Sequence, residues 1–128
     1  MFVQAVYISL GAILGALSRW GVGLALNPYF MAFPLGTLIV NLLGCFVIGI
    51  VLPVGAVYIP LSIGARAFLI TGLLGSFTTF STFSAETIYL FITAQPLRGI
   101  LCVLAHVVGG LIATYLGILT TKAILHII

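Results

Sequence analysis

Long apolar runs separated by short polar breaks set the pattern of this chain, and four of the runs reach the roughly 20 residues a helix needs to cross a bilayer. The first, Phe2 to Leu26, is interrupted only by Gln4, Ser9, Ser18 and Arg19 and ends at Asn27-Pro28. The second runs from Phe33 to Leu52 and is closed by Pro53; the third runs from about Ser62 to Ile92; the fourth starts at Leu97, after Pro96, and reaches about Ile124. Proline near each connection supports these breaks, because it cannot continue the hydrogen-bonded ladder of the preceding helix. The pattern predicts an all-α membrane protein with one transmembrane domain over residues 1–128 and spans of about 2–26, 33–52, 62–92 and 97–124.

Composition sharpens that reading. The chain is 63% hydrophobic and 4% charged, whereas charged residues make up about a quarter of a soluble domain. A cleaved signal peptide is not expected, since no Lys or Arg precedes the first run and that run is too long for the apolar region of one. One small domain with few helices cannot readily enclose a pore, so an oligomer is expected. Catalysis and nucleic-acid binding are not. The chain holds one acid and two histidines, too little for acid–base chemistry. Cys45 and Cys102 fall within spans, have no metal-ligand partner at useful spacing, and read as small packing residues.

Basic residues near span ends normally fix orientation. Here Arg66 and Lys122 lie nearest one side and Arg19 and Arg98 nearest the other. This balance predicts insertion in both orientations and head-to-tail pairing; a weak bias toward one orientation is the alternative.

Small residues mark helix contacts. Gly11 and Gly15 form a GxxxG pair, and Ala105, Gly109, Ala113 and Gly117 recur every four residues, which allows close backbone approach. Beside that stripe Cys102, His106, Gly110 and Thr114 share a spacing and make a weakly polar face. His106 and Thr114 are thus candidates for a permeation path, with a satisfied structural histidine as the alternative.

The third run is longer than a straight span requires, and its middle, GSFTTFSTFSAE from Gly75 to Glu86, carries six hydroxyls, three phenyl rings and the only acid. Such a segment is costly in hydrocarbon and predicts a path or a site. Gly72 and Gly75 loosen the helix, and the hydroxyls of Ser76, Thr78 and Thr79 compete for its carbonyls. A span broken in mid-membrane is one reading; broken helices are tolerated where they line a cavity or are buried in protein. A kinked but continuous helix is the other. Freed carbonyls would suit a dehydrated Na⁺.

Phe77, Phe80 and Phe83 are spaced by three, placing the rings on one side of a helix with a slow drift, and Ser81, Thr82 and Ser84 interleave with them. Phenyl edges carry partial positive charge, so ring edges and hydroxyls could hold a small anion without a full charge to trap it. Asn41, in the middle of the second span, adds two amide donors; helix–helix gluing is its competing role. Glu86 would oppose an anion, so in an anion path it must sit at a vestibule, be hydrogen-bonded or pair with a base. Anchoring or ending a helix is its other role.

With GAILGALSRW from Gly11, GTLIVNLLGCFVIG from Gly36 and GLLGSFTTFSTFSAE from Gly72, the chain resembles the Fluc or CrcB fluoride channels of bacteria and other microbes over essentially its whole length. The resemblance implies an antiparallel dual-topology homodimer in the cell inner membrane, exporting cytoplasmic fluoride passively through two pores made jointly by both subunits. It implies Asn41 as the pore-lining donor and Phe80 and Phe83 as the rings facing fluoride. Ser81, Thr82 and Ser84 would complete the polar path, with Glu86 near one end and Arg19 as a structural or vestibule charge. Backbone carbonyls of Gly75 and Thr78 would hold one structural Na⁺ at the dimer interface. The fourth span departs from the family's more hydroxyl-rich track at Cys102, His106 and Gly110, and Trp20 stands where the family often has tyrosine. A small multidrug exporter, also four-span and dimeric, is the competing class, but it would need an acid in the first span, which has none. A non-conducting assembly subunit is a third.

Overall fold

A computed structural model describes residues 1–27, 34–55 and 61–125. Four helical spans, Phe2–Leu26, Leu35–Pro53, Ile63–Ile92 and Pro96–Ile124, are long and apolar enough to cross a membrane. Three are continuous: α1 (Phe2–Leu26), α2 (Leu35–Pro53) and α6 (Pro96–Ile124). Phe33, expected to open the second span, lies outside the described residues, and Pro53 is the last residue of its helix instead of the first beyond it. The fourth helix begins at Pro96, one residue before the expected Leu97. Proline is tolerated at a helix start, where its missing N–H would have had no partner.

The third span is composite. Helix α3 (Ile63–Arg66) starts at Ser62, whose side chain accepts from the Ala65 N–H at 3.1 Å. A π-helical stretch, Ala67–Leu74, and a single turn, α4 (Gly75–Phe77), follow. Thr78 (φ −82°, ψ 158°) and Thr79 (φ −151°, ψ 114°) are extended, and the helix resumes as α5 (Phe80–Ile92). Phe77 therefore belongs to a different helix from Phe80 and Phe83, and the expected continuous phenyl side is interrupted by two extended residues.

In lipid there is no hydrophobic drive between helices, so close van der Waals approach must hold them. Glycine supplies it in two seams. On α1, a Cβ added to Gly11 would lie 3.1 Å from the Gly72 Cα, and one on Gly15 would lie 2.9 Å from the Phe77 amide nitrogen, so α1 seats against the third span backbone to backbone. On α6, a Cβ on Gly117 would lie 3.0 Å from the Gly49 Cα, which joins α6 to α2 in the same way. The buried line of α6 runs through Cys102, His106, Gly110 and Gly117, while Ala105, Gly109 and Ala113 of the expected small-residue stripe are only half-buried. The inward line thus takes Cys102, His106 and Gly110 from the weakly polar face and Gly117 from the small-residue stripe, and the two glycines let α2 approach.

The interior of the chain is thin. Phe83, Leu90 and Cys102 form its core cluster between α5 and α6, and most large apolar side chains point outward. Outward apolar faces are what a membrane protein turns to lipid or to another helix.

Candidate functional site

The two extended threonines place several backbone polar groups in the interior of the spans, and each needs a partner. Asn41 on α2 provides most of the solution. Its Oδ1 accepts the Thr79 N–H at 2.8 Å, and its Nδ2 donates to the Thr79 carbonyl at 3.1 Å. The carboxamide thereby imitates the edge of a peptide and leaves one Nδ2 hydrogen over. Arg19 of α1 donates from Nε to the Ser76 carbonyl at 3.0 Å. Gly44, one turn beyond Asn41, has no room for a side chain because the Thr78 methyl occupies that space.

Thr79 also caps α5. Its Oγ1 accepts from the Thr82 N–H at 3.2 Å and donates to the Thr82 hydroxyl at 3.0 Å, with the Ser81 hydroxyl 3.2 Å away. These bonds leave two carbonyls uncommitted. The Thr79 N–H that a helix would direct to the Gly75 carbonyl goes to Asn41, and the Thr82 N–H that would serve Thr78 goes to the cap. Gly75 is exposed on the surface of the chain. Neutral hard oxygens without helical donors are the ligands a monovalent cation prefers, so the geometry fits the Na⁺ expectation. Among the described residues no three His, Cys, Asp or Glu side chains gather in one place.

Below the clasp lies an aromatic cavity of about 500 Å³, bordered by Asn41, Thr78, Thr79, Phe80, Phe83 and His106 together with apolar side chains. Phe80 is 77% exposed in the protomer, whereas Phe83 is buried. The rings meet edge-on, with centroids 5.4 Å apart at 68°. Phe83 in turn stacks on His106 at 4.4 Å and 28°. His106 Nδ1 lies 3.0 Å from the Cys102 carbonyl of the preceding turn.

A second cavity, of about 360 Å³, is bordered by Arg19, Trp20, Thr37, Thr79, Thr82 and Glu86 among others. Glu86 Oε1 accepts from the Thr37 hydroxyl at 2.7 Å, and its Oε2 is buried without a partner among the described residues. Thr79 borders both cavities, whereas its partner Asn41 borders only the first.

A family profile described as CrcB-like protein, Camphor Resistance (CrcB), matches residues 6–118. The chain belongs to the CrcB-like family. It is 52% identical over 115 residues to a protein of Pasteurella multocida named Fluoride-specific ion channel FluC, with 90% of each chain covered. A protein of the same name from Mannheimia succiniciproducens is 49% identical over 122 residues, covering 95% of this chain and 96% of the relative. Another, from Haemophilus influenzae, is 48% identical over 120 residues, covering 94% of this chain and 75% of the relative. Together with four apolar spans, these relatives make this CrcB-like chain a multi-pass membrane protein.

The expected site residues of this CrcB-like chain fall into three groups. Asn41, Phe80, Phe83 and His106 share the aromatic cavity with Gly75 and Thr78, while Thr82, Glu86 and Arg19 share the other. Ser81 and Ser84 border neither, although Ser81 reaches the Thr79 hydroxyl. Thr114 is not brought to either cavity: its hydroxyl donates to the Gly110 carbonyl at 3.0 Å, and its own carbonyl lies where a Gly49 side chain would be. Thr79 and Thr37 were not singled out as site residues. Thr79 was legible as the first residue of a Thr-x-x-Thr cap, and Thr37 as the residue one turn before Asn41 on the same face.

Proposed function

We propose that the chain is a fluoride-specific channel that lets cytoplasmic fluoride leave down its electrochemical gradient and so lowers fluoride toxicity. The observation that carries this reading is the aromatic cavity, where the Phe80 and Phe83 rings, the spare Asn41 amide hydrogen and Thr79 converge without a Lys or Arg at the wall. Fluoride holds its water tightly, so a path must replace hydration with donors; ring edges and amide hydrogens do so without a permanent charge that would hold the ion. The names of the relatives point to the same ion. The single acid is bonded to Thr37 and lies in the adjoining cavity, as one end of a polar route through Thr82, Thr79 and Asn41 would require. Ser81 and Ser84, on α5 beside these groups, extend the route toward a second subunit.

The working unit is an antiparallel, dual-topology homodimer in the cell inner membrane, with lipid around it and two pores made jointly. The exposed Phe80 and the exposed Gly75 support this, since both sit on an unpartnered face of one protomer. The third span would cross its mate where the helix is interrupted in mid-membrane. Gly75 and Thr78 carbonyls from the copies would hold a structural Na⁺, which contributes a fixed positive charge at the interface. Arg19, bonded to the Ser76 carbonyl, steadies the same turn from outside and places its charge at the second cavity. Transport, not catalysis, is the activity.

Fluoride efflux from proteoliposomes tests the reading. Passive, proton-independent efflux is expected, and Phe80→Ile should abolish it while leaving the dimer intact. Sealed vesicles that retain their fluoride would overturn the proposal, and proton movement driven by a cationic drug would place the chain with the exporters instead.

A further inference from the structure

At the far end of α2, away from Glu86, lies a cleft of about 220 Å³ bordered by Val51, Leu52, Gly55, Leu61, Arg66 and Ile70. It runs between the last turns of α2 and the first turns of the third span. Gly55 and Leu61 meet at its edge, since a Cβ on Gly55 would lie 3.1 Å from Leu61 Cδ1. Leu52 and Arg66 are both exposed, so the cleft is open to the surrounding lipid. The third span starts after Ser62, which places Arg66 about 6 Å along the helix at 1.5 Å per residue. That is the depth of the headgroup layer, and a long guanidinium stem reaches it while its methylenes lie on apolar surface.

The chain holds one side-chain carboxylate, Glu86, and it is bonded to Thr37. Thr37 and Val51 lie near opposite ends of α2, about 21 Å apart along the helix axis. No side-chain acid can therefore answer Arg66. A second cation strengthens the field at this end: Lys122 follows Thr121, whose hydroxyl donates to the Ile50 carbonyl at 3.5 Å. An exposed guanidinium at headgroup depth, beside an apolar cleft, suits a ligand that joins phosphate oxygens to hydrocarbon.

We propose that the cleft between α2 and the third span binds an anionic phospholipid of the phosphatidylglycerol kind. Its phosphodiester oxygens take the Arg66 guanidinium, and the upper part of an acyl chain lies along Val51, Leu52 and Ile70. Charge selects the headgroup. A zwitterionic lipid such as phosphatidylethanolamine brings an ammonium of its own, which would meet Arg66 and Lys122 with no side-chain carboxylate to receive it. A glycerol headgroup brings none. Free phosphate would satisfy the guanidinium but leave the apolar walls uncovered. In the proposed antiparallel dimer the two clefts face opposite leaflets, so each leaflet supplies one lipid. Nothing in this depends on which ion the chain conducts.

Native mass spectrometry of the purified protein in detergent, titrated with phosphatidylglycerol or with phosphatidylethanolamine of the same acyl chains, tests the assignment. The wild type is expected to bind phosphatidylglycerol about fivefold more tightly, the weight of one basic residue facing an anionic lipid. Arg66→Gln should level the two lipids. Arg98→Gln, an equal loss of charge at an exposed residue on α6, should keep the preference. A large excess of inorganic phosphate should not displace the lipid. Thermal unfolding gives a second readout: phosphatidylglycerol should raise the midpoint of the wild type and of Arg98→Gln more than phosphatidylethanolamine does, and should give Arg66→Gln no such advantage. Equal binding of the two lipids by the wild type, equal loss of preference in both variants, or displacement by inorganic phosphate would overturn the proposal. The wild-type comparison decides the matter even where a variant fails to fold.

Discussion

The Asn41 carboxamide offers one acceptor and two donors, and the Thr79 backbone takes the acceptor and one donor. Asn41→Ala removes both bonds and leaves an N–H and a carbonyl without partners inside the membrane. A loss of about 1–3 kcal/mol for each stranded group is expected, read as a lower unfolding temperature of the dimer in detergent. Asn41→Asp separates clasp from path: it retains the acceptor for the Thr79 N–H, loses both donors and adds negative charge. The dimer should persist on size-exclusion chromatography while fluoride efflux falls by more than about tenfold. Asn41 was legible as a costly polar residue in mid-span, but its partner was not. Thr79 lies 38 residues away, and no local pattern points from one to the other. His106 was similarly visible as a lone histidine, whereas its stacking on Phe83 could not be read from the sequence, since the two lie on different helices.

At the scale of elements, the seams are made where glycine stands opposite glycine or opposite a carbonyl. Gly15→Leu would drive a side chain into the backbone around Leu73 and Phe77, in a packed region that cannot yield. It should abolish dimer recovery after extraction, whereas Gly21→Leu, on an open part of α1 with nothing near its Cβ direction, should not. The turn between α5 and α6 offers the opposite test. Ala94 has φ 57°, in the left-handed region that disfavours any residue with a Cβ. It follows the α5 C-terminus, and the Gln95 N–H closes that end on the Leu90 carbonyl at 3.0 Å. Ala94→Gly should therefore raise stability by about 1 kcal/mol, measured as a higher thermal midpoint with fluoride efflux unchanged. Span positions were readable from apolar run length, since crossing a bilayer demands that length whatever the neighbours do. The face α6 turns inward was not readable, because its small-residue stripe and its polar line are adjacent and only the approach of α2 chooses between them.

For the whole molecule, the thin interior and the outward apolar faces leave a large surface for lipid or, in the proposed homodimer, for a second copy. The charge balance of Arg19 and Arg98 against Arg66 and Lys122 is the basis of the proposed dual topology. A C-terminal tag should label equally from both membrane faces, and adding two lysines to one side should skew the ratio and reduce efflux by starving the antiparallel pair of partners. Replacing Na⁺ with a large organic cation throughout purification should weaken the dimer, as judged by cross-linking, if Gly75 and Thr78 hold the ion as proposed. Dimer strength indifferent to Na⁺ would remove that part of the proposal.

Sequence alone determined that this chain lives in a bilayer, where its four spans lie, and that Gly75 to Glu86 is the stretch most costly to place in hydrocarbon. Those conclusions follow from transfer energies, which are local and additive along the chain. Tertiary structure decided the rest: that Asn41 closes on Thr79, that Glu86 answers to Thr37, that His106 stacks on Phe83, and that Thr114 serves a seam. Hydrogen bonds and close packing are set by direction and distance between residues far apart in sequence. The order of residues names the groups; only the fold brings them within reach.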